Sequence, residues 1–217
     1  MALFRLVDHG LSYGPVRVWE NLSISIEAGE RVALLGPSGA GKSSLLNVLY
    51  SQQSASISLC PQELGLVDIL SVYQNIFMGQ LERHSAIHNL WNLIKPIASH
   101  RQAIERLLGE LGMPEKLFYS VDQLSGGQRQ RVAIGRALYR QQSIFFGDEP
   151  VSSLDPLQAK MLLELIVERH QTAVVALHDR QLALSVFDRI IGLRGGVVHF
   201  DRSAADITME ELNAFYE

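Results

Sequence analysis

The sequence predicts an α/β fold: a parallel-sheet core with a small antiparallel β region ahead of it and a helical section set between its strands. Three observations carry that expectation. Arg31–Leu35 is a short, almost wholly apolar run that leads straight into a glycine-rich loop and then a helical pattern. Over the last third of the chain, short apolar strands alternate with helices, the rhythm of βαβ units. Between these regions, residues 63–138 have helical periodicity, broken at Pro96, at Gly112-Met113-Pro114 and at Gly126-Gly127.

In chain order, Leu3–Val7 and Leu22–Ile26 alternate or nearly alternate apolar with polar residues, as strands with one solvated face do, and the second ends in the turn Ala28-Gly29. Arg31–Leu35 reads as a parallel strand covered on both faces. Leu45, Leu46, Val48 and Leu49 predict a helix over Ser43–Tyr50, and Ser56–Cys60 predicts a strand. After the helical subdomain, strands Ser143–Phe146, Thr172–Leu177 and Arg189–Leu193 alternate with helices Pro156–His170 and Asp179–Phe187. Val197–Asp201 adds a strand and Met209–Phe215 a closing helix. No internal repeat or low-complexity linker interrupts this order. Residues 1–217 therefore read as one domain with the helical subdomain, about 63–138, inserted in its core.

Composition narrows the function classes. With 217 residues, 47% of them hydrophobic, the chain can bury a sizeable core. A net charge of −4 with scattered lysines and arginines argues against a nucleic-acid partner. The single cysteine, Cys60, rules out an intrachain disulfide and fits a reducing cytosol, where it serves as a small hydrophobe in a strand. The first residues do not read as a signal peptide, and no apolar run approaches the roughly 20 residues that span a bilayer. A membrane role would come through a partner.

The chemistry begins at Gly36-Pro37-Ser38-Gly39-Ala40-Gly41-Lys42-Ser43, which matches G-x-x-x-x-G-K-[ST] between a strand and a helix. The glycines let backbone N–H groups curl around phosphates, the helix start adds its positive end, and Lys42 adds a point charge. Ser43 would place its hydroxyl on Mg²⁺, and Ser44 would bond a further phosphate oxygen. The flanking strand weighs against a Gly/Ser-rich turn that serves helix capping alone. The pattern predicts a P-loop NTPase core, a class that includes GTPases, kinases, helicases and motors.

Two more strings select among these. The apolar strand Ile144-Phe145-Phe146-Gly147 ends in Asp148 and Glu149, at the carboxyl end of a strand, where parallel sheets place ligand chemistry. Asp148 fits an Mg²⁺ anchor and Glu149 the base that orients or deprotonates the attacking water. An acidic pair alone would more often be a solvated strand end; the upstream phosphate loop reverses that weighting. Leu124-Ser125-Gly126-Gly127-Gln128 is a second phosphate cradle at a helix start, continued by Arg129-Gln130-Arg131-Val132-Ala133-Ile134-Gly135-Arg136-Ala137-Leu138.

With these strings the chain resembles the ATP-binding-cassette (ABC) transporter ATPases, and the resemblance covers essentially its whole length. It implies a RecA-like core, a small antiparallel β subdomain and a helical subdomain carrying the LSGGQ string. It implies that Ser125, Gly126, Gly127 and Gln128 contact ATP held by a second copy, in a head-to-tail sandwich dimer. Tyr13 resembles the aromatic that stacks on adenine, Gln62 the glutamine that touches the Mg²⁺ site, and His178 the histidine that reaches the γ-phosphate. Ser153-Leu154-Asp155 resembles the loop by which each cassette senses the other's site. The other six histidines carry no such placement and read as surface residues.

Two features depart from the family. Only nineteen residues separate Lys42 from Gln62, and the return strand usual there is missing, so the antiparallel subdomain is expected to be shortened. Gly147 stands where a larger residue is usual. The stretch Leu64-Gly65-Leu66-Val67-Asp68-Ile69-Leu70-Ser71-Val72-Tyr73-Gln74-Asn75-Ile76, the run Glu149–Pro156 and the tail Ile190–Gly196 resemble importer cassettes, particularly those of phosphonate uptake. The expectation is an ATP- and Mg²⁺-dependent hydrolase at the cytoplasmic face of the inner membrane. It would act on transmembrane permease subunits and, through them, a substrate-binding protein. The alternatives are a soluble ABC-type ATPase, which usually carries a coiled-coil insertion or a second cassette, and a non-catalytic nucleotide sensor, which has no need of Glu149.

Overall fold

A computed structural model describes residues 2–217. The chain divides into two units, residues 1–62 with 143–217 and residues 63–142. The first opens with an antiparallel hairpin, β1 (Ala2–Tyr13) and β2 (Val16–Glu27). Both strands run well past the alternating stretches legible in sequence, because register shifts between Leu6 and Leu11 break the period-two pattern without ending the pairing. The core sheet contains β3 (Arg31–Leu35), β4 (Ile57–Cys60), β5 (Ile144–Asp148), β6 (Thr172–Ala176), β7 (Arg189–Arg194) and β8 (Val197–Ser203). Its order is β4-β5-β6-β3-β7-β8, parallel except for the β7–β8 pair.

Helices α1 (Lys42–Gln52), α6 (Pro156–Arg169), α7 (Arg180–Val186) and α8 (Met209–Tyr216) complete this unit. One apolar cluster joins Phe4 of β1, Ile24 and Ile26 of β2, Leu34 of β3, Leu45 and Leu49 of α1, and Phe146 of β5. The hairpin thus packs on the core rather than standing free, with the Phe4 and Phe146 rings 5.2 Å apart. Burial of Val32, Ala33, Leu34 and Leu35 on both faces of β3 accounts for its unbroken apolar run. Between α1 and β4 the chain makes only a short 3₁₀ turn over Ser54–Ser56, so among the described residues no return strand is present there.

The second unit contains α2 (Val72–Phe77), α3 (Ala86–Ile94), α4 (Ala98–Glu110) and α5 (Gly126–Tyr139). Ser71 with Gln74, and Ser125 with Gln128, form reciprocal caps that start α2 and α5. Buried Asn75 ties the preceding segment down, accepting from the Val67 N–H and donating to the Val67, Leu70 and Ser71 carbonyls. No described helix is long and apolar enough to cross a membrane.

Candidate functional site

The sheet order sets β4, β5, β6 and β3 side by side, so their carboxyl ends open on one crevice. Each delivers a candidate residue there: Gln62 beyond β4, Asp148 and Glu149 at the end of β5, His178 beyond β6, and the glycine-rich loop after β3. A cavity of about 280 Å³ is lined by Ser38, the run Gly39–Ser44, Gln62, Glu149 and His178, with Val18 of β2 completing its wall.

The loop's shape needs its glycines. Gly36 has φ 151°, and a Cβ on it would lie 2.1 Å from the Leu193 carbonyl oxygen. Gly41, at φ 96°, caps α1 without any side-chain acceptor, which leaves the helix start to an incoming anion. Lys42 is 5% exposed, and its Nζ donates to the carbonyls of Gly36 at 2.7 Å and Pro37 at 3.2 Å. Burial pushes the Lys42 pKa below the usual lysine value, while the charges of Glu149 and Asp148 pull it back up. Pro37 and Ala40 shape the turn through the Ala40 N–H to Pro37 carbonyl bond.

Asp148 is 8% exposed and burial raises its pKa; the Glu149 charge adds to the rise, and the Ser43 hydroxyl, Lys42 and His178 oppose it. Its Oδ1 is buried without a hydrogen-bond partner. Asp148 is bonded by the Ser43 hydroxyl, and Ser43 and Gln62 line the crevice; together these side chains offer hard oxygen donors of the kind that suits Mg²⁺. Glu149 adopts φ 53°, unusual for a residue with a side chain, and its N–H donates to the Ala176 carbonyl of β6. The turn aims its carboxylate along the crevice, where Oε1 stands 2.6 Å from Nε2 of His178. Gly147 also finds its reason here, since a Cβ would meet Phe145 at 2.8 Å and Pro150 at 3.0 Å.

Other sequence candidates lie elsewhere. Tyr13 ends β1, 55% exposed, and does not line the cavity. Asp155 caps α6, its carboxylate accepting from the Gln158 N–H. Ser125 and Gln128 belong to the second unit, and Gly126 and Gly127 open α5 there; the Ser125 hydroxyl accepts from the Gln128 N–H and Gln128 Oε1 from the Ser125 N–H.

Two contributors had no sequence signal. Val18 sits in an irregular strand, and Tyr216, far along the chain, accepts the Gly36 N–H on its hydroxyl at 3.0 Å. The histidine expectation needs correcting: of the six outside the crevice only His199 is exposed. His170 is buried on the Ile166 carbonyl because α6 lays it against Phe145, and His84, His88 and His100 gather in the second unit.

Residues 19–152 match the family model described as ABC transporter. A phosphonates import ATP-binding protein PhnC of Pseudomonas entomophila is 39% identical, the match covering 98% of this chain and 90% of that protein. Its 241 aligned positions exceed the 217 residues here, so that relative carries residues this chain lacks. A PhnC of Frankia casuarinae is 36% identical over 92% of this chain and 89% of its own length. Among solved structures, a dimeric bacterial ABC transporter cassette superposes with a TM-score of 0.79 at 24% identity, covering 92% of this chain and 98% of that one.

Proposed function

Because the chain belongs to the ABC transporter family, we propose that it is the ATP-hydrolysing subunit of a membrane importer for phosphonate or a related small anion. The observation that carries the catalytic part is the Glu149–His178 contact at 2.6 Å, beside buried Lys42 in the crevice of the glycine-rich loop. A binding-only module has no use for that pair.

The loop from Gly36 to Ser44 holds the phosphates with its N–H groups and with the charge of Lys42. Glu149 orients the attacking water and takes its proton, while His178 steadies that carboxylate and faces the phosphate end of the crevice. Ser43, Gln62 and Asp148 would hold Mg²⁺, which when bound offsets phosphate charge. Tyr13 stacks on adenine from its exposed position at the hairpin turn. A second copy of the chain supplies Ser125, Gly126, Gly127 and Gln128 to complete the site, and Asp155 lies in the loop facing that copy.

Residues 1–217 act as one nucleotide-binding domain, with residues 63–138 as its helical subdomain. It is peripheral, on the cytoplasmic face of the inner membrane, and it engages transmembrane permease subunits that receive cargo from a substrate-binding protein. The PhnC relatives support the cargo class by name, and the absence of a spanning helix among the described residues supports a separate permease. Glu149→Gln should lower ATP turnover about 10²- to 10⁴-fold with ATP affinity retained. A phosphate-release assay in which it turns over at the wild-type rate contradicts the assignment.

A further inference from the structure

Three histidines of the second unit gather in one cluster. His84 precedes the cap of α3, His88 lies one turn into that helix, and His100 lies on α4. Their ligand nitrogens all fall within 4.8 Å of one another. His88 Nε2 and His100 Nε2 stand 3.0 Å apart, and the rings of His84 and His88 stack at 4.4 Å. Phe77 packs against both His84 and His100. We propose that His84, His88 and His100 form a binding site for a divalent transition metal ion, Zn²⁺ foremost, which ties the start of α3 to α4.

The distances suit such an ion. Zn–N bonds of about 2.0–2.1 Å in a tetrahedral arrangement set the ligand nitrogens about 3.3 Å apart. The His88–His100 pair is already near that spacing, and His84 has at most about 1.5 Å to close. Packing alone does not account for the cluster, because His84 Nε2 is buried with no hydrogen-bond partner, a desolvation cost that a coordinated ion removes.

The second shell agrees. His100 Nδ1 lies 2.8 Å from the Tyr139 hydroxyl. When His100 donates its Nδ1–H to that oxygen, its Nε2 lone pair points to the cluster, the arrangement that metal-bound histidines adopt. Imidazole donors favour Zn²⁺, Cu²⁺ or Ni²⁺ over Mg²⁺, which separates this site from the oxygen-lined crevice.

The test is Zn²⁺ titration of the full chain, stripped with a chelator and free of nucleotide, against a competing chromophoric chelator. Wild type should bind one Zn²⁺ per chain, and Zn²⁺ should raise its melting temperature. His88→Gln and His100→Gln should each weaken binding by about 100-fold or more, Tyr139→Phe by about 10- to 100-fold, and His199→Gln, an exposed histidine outside the cluster, not at all. Circular dichroism and ATP binding check that each variant folds, and Tyr139→Phe keeps the test decisive if a histidine variant does not. Zn²⁺ binding absent from wild type, or unchanged in folded His88→Gln, His100→Gln and Tyr139→Phe, overturns the site.

Discussion

Asp148 and Lys42 show how a catalytic crevice sets stability against function. Asp148 is buried, one of its oxygens has no partner, and its pKa is raised mainly by desolvation. A carboxyl whose folded pKa lies above its unfolded one is stabilising while protonated, and that stability is lost as pH rises through the folded pKa. Asp148→Asn should therefore melt higher than wild type in nucleotide-free protein at neutral pH, by about 2–4 °C for each kcal/mol recovered. The gap should close as pH falls below the ordinary carboxylate range, while turnover is lost at every pH. Melting curves across pH check this, and a gap that widens toward low pH contradicts it. Lys42 is the opposite case, since its bonds to the Gly36 and Pro37 carbonyls hold the loop while its charge awaits an anion. Lys42→Ala should weaken ATP binding by about 1.5–3 kcal/mol, roughly 10- to 100-fold, read by nucleotide titration.

At this scale the crevice was largely legible, because phosphate chemistry demands fixed residue types at fixed spacing. Lys42, Glu149, Gln62 and His178 all line or edge the cavity. The histidine cluster was missed although His84-x-x-x-His88 has a ligand-like spacing. Its third member comes from the next helix, and no local pattern announces that packing. Gly147 looked like a departure, and only the Phe145 and Pro150 side chains against it explain the missing Cβ.

Among the elements, α8 does more than close the fold. Its Tyr216 hydroxyl accepts the N–H of Gly36, Arg180 of α7 lies 5.1 Å from the Tyr216 ring, and Arg194 donates to the Phe215 carbonyl. The last helix thus pins the entrance of the phosphate loop. Tyr216→Phe leaves a part-buried N–H without its acceptor, at a cost of about 1–2 kcal/mol. It should lower the melting temperature by a few degrees and raise the KM for ATP with kcat little changed. Unaltered stability and KM would remove α8 from this role. A closing helix over Met209–Phe215 was expected from the sequence, but its target was not, since 180 residues separate Tyr216 from Gly36. The hairpin was half legible: Leu22–Ile26 alternates and Leu3–Val7 nearly does, and the irregular register toward the turn hides the rest. The short link between α1 and β4 follows directly from the residue count.

For the whole molecule, sheet order explains why the nucleotide residues are scattered in sequence yet adjacent in space. Parallel β4, β5, β6 and β3 deliver their carboxyl ends to one crevice, and the intervening helical unit is the long excursion between β4 and β5. The topology was readable as a class, from apolar strands alternating with helices, but the strand order was not, because parallel pairing leaves no local mark on sequence. The first unit holds the loop, the acidic pair and the histidine, whereas the Ser125–Gln128 helix start belongs to the second. Under the proposed function, pairing with another copy would complete the site, with bound ATP between the two chains.

The central claim is that ATP closes two chains on each other and that Glu149 opens them by hydrolysis. The most direct test follows oligomeric state and phosphate release together, with MgATP, in wild type and Glu149→Gln. The account predicts that wild type turns over and stays largely monomeric, while Glu149→Gln accumulates as an ATP-bound dimer that releases almost no phosphate. A Glu149→Gln variant that remains monomeric at saturating MgATP, or that hydrolyses as fast as wild type, would contradict it.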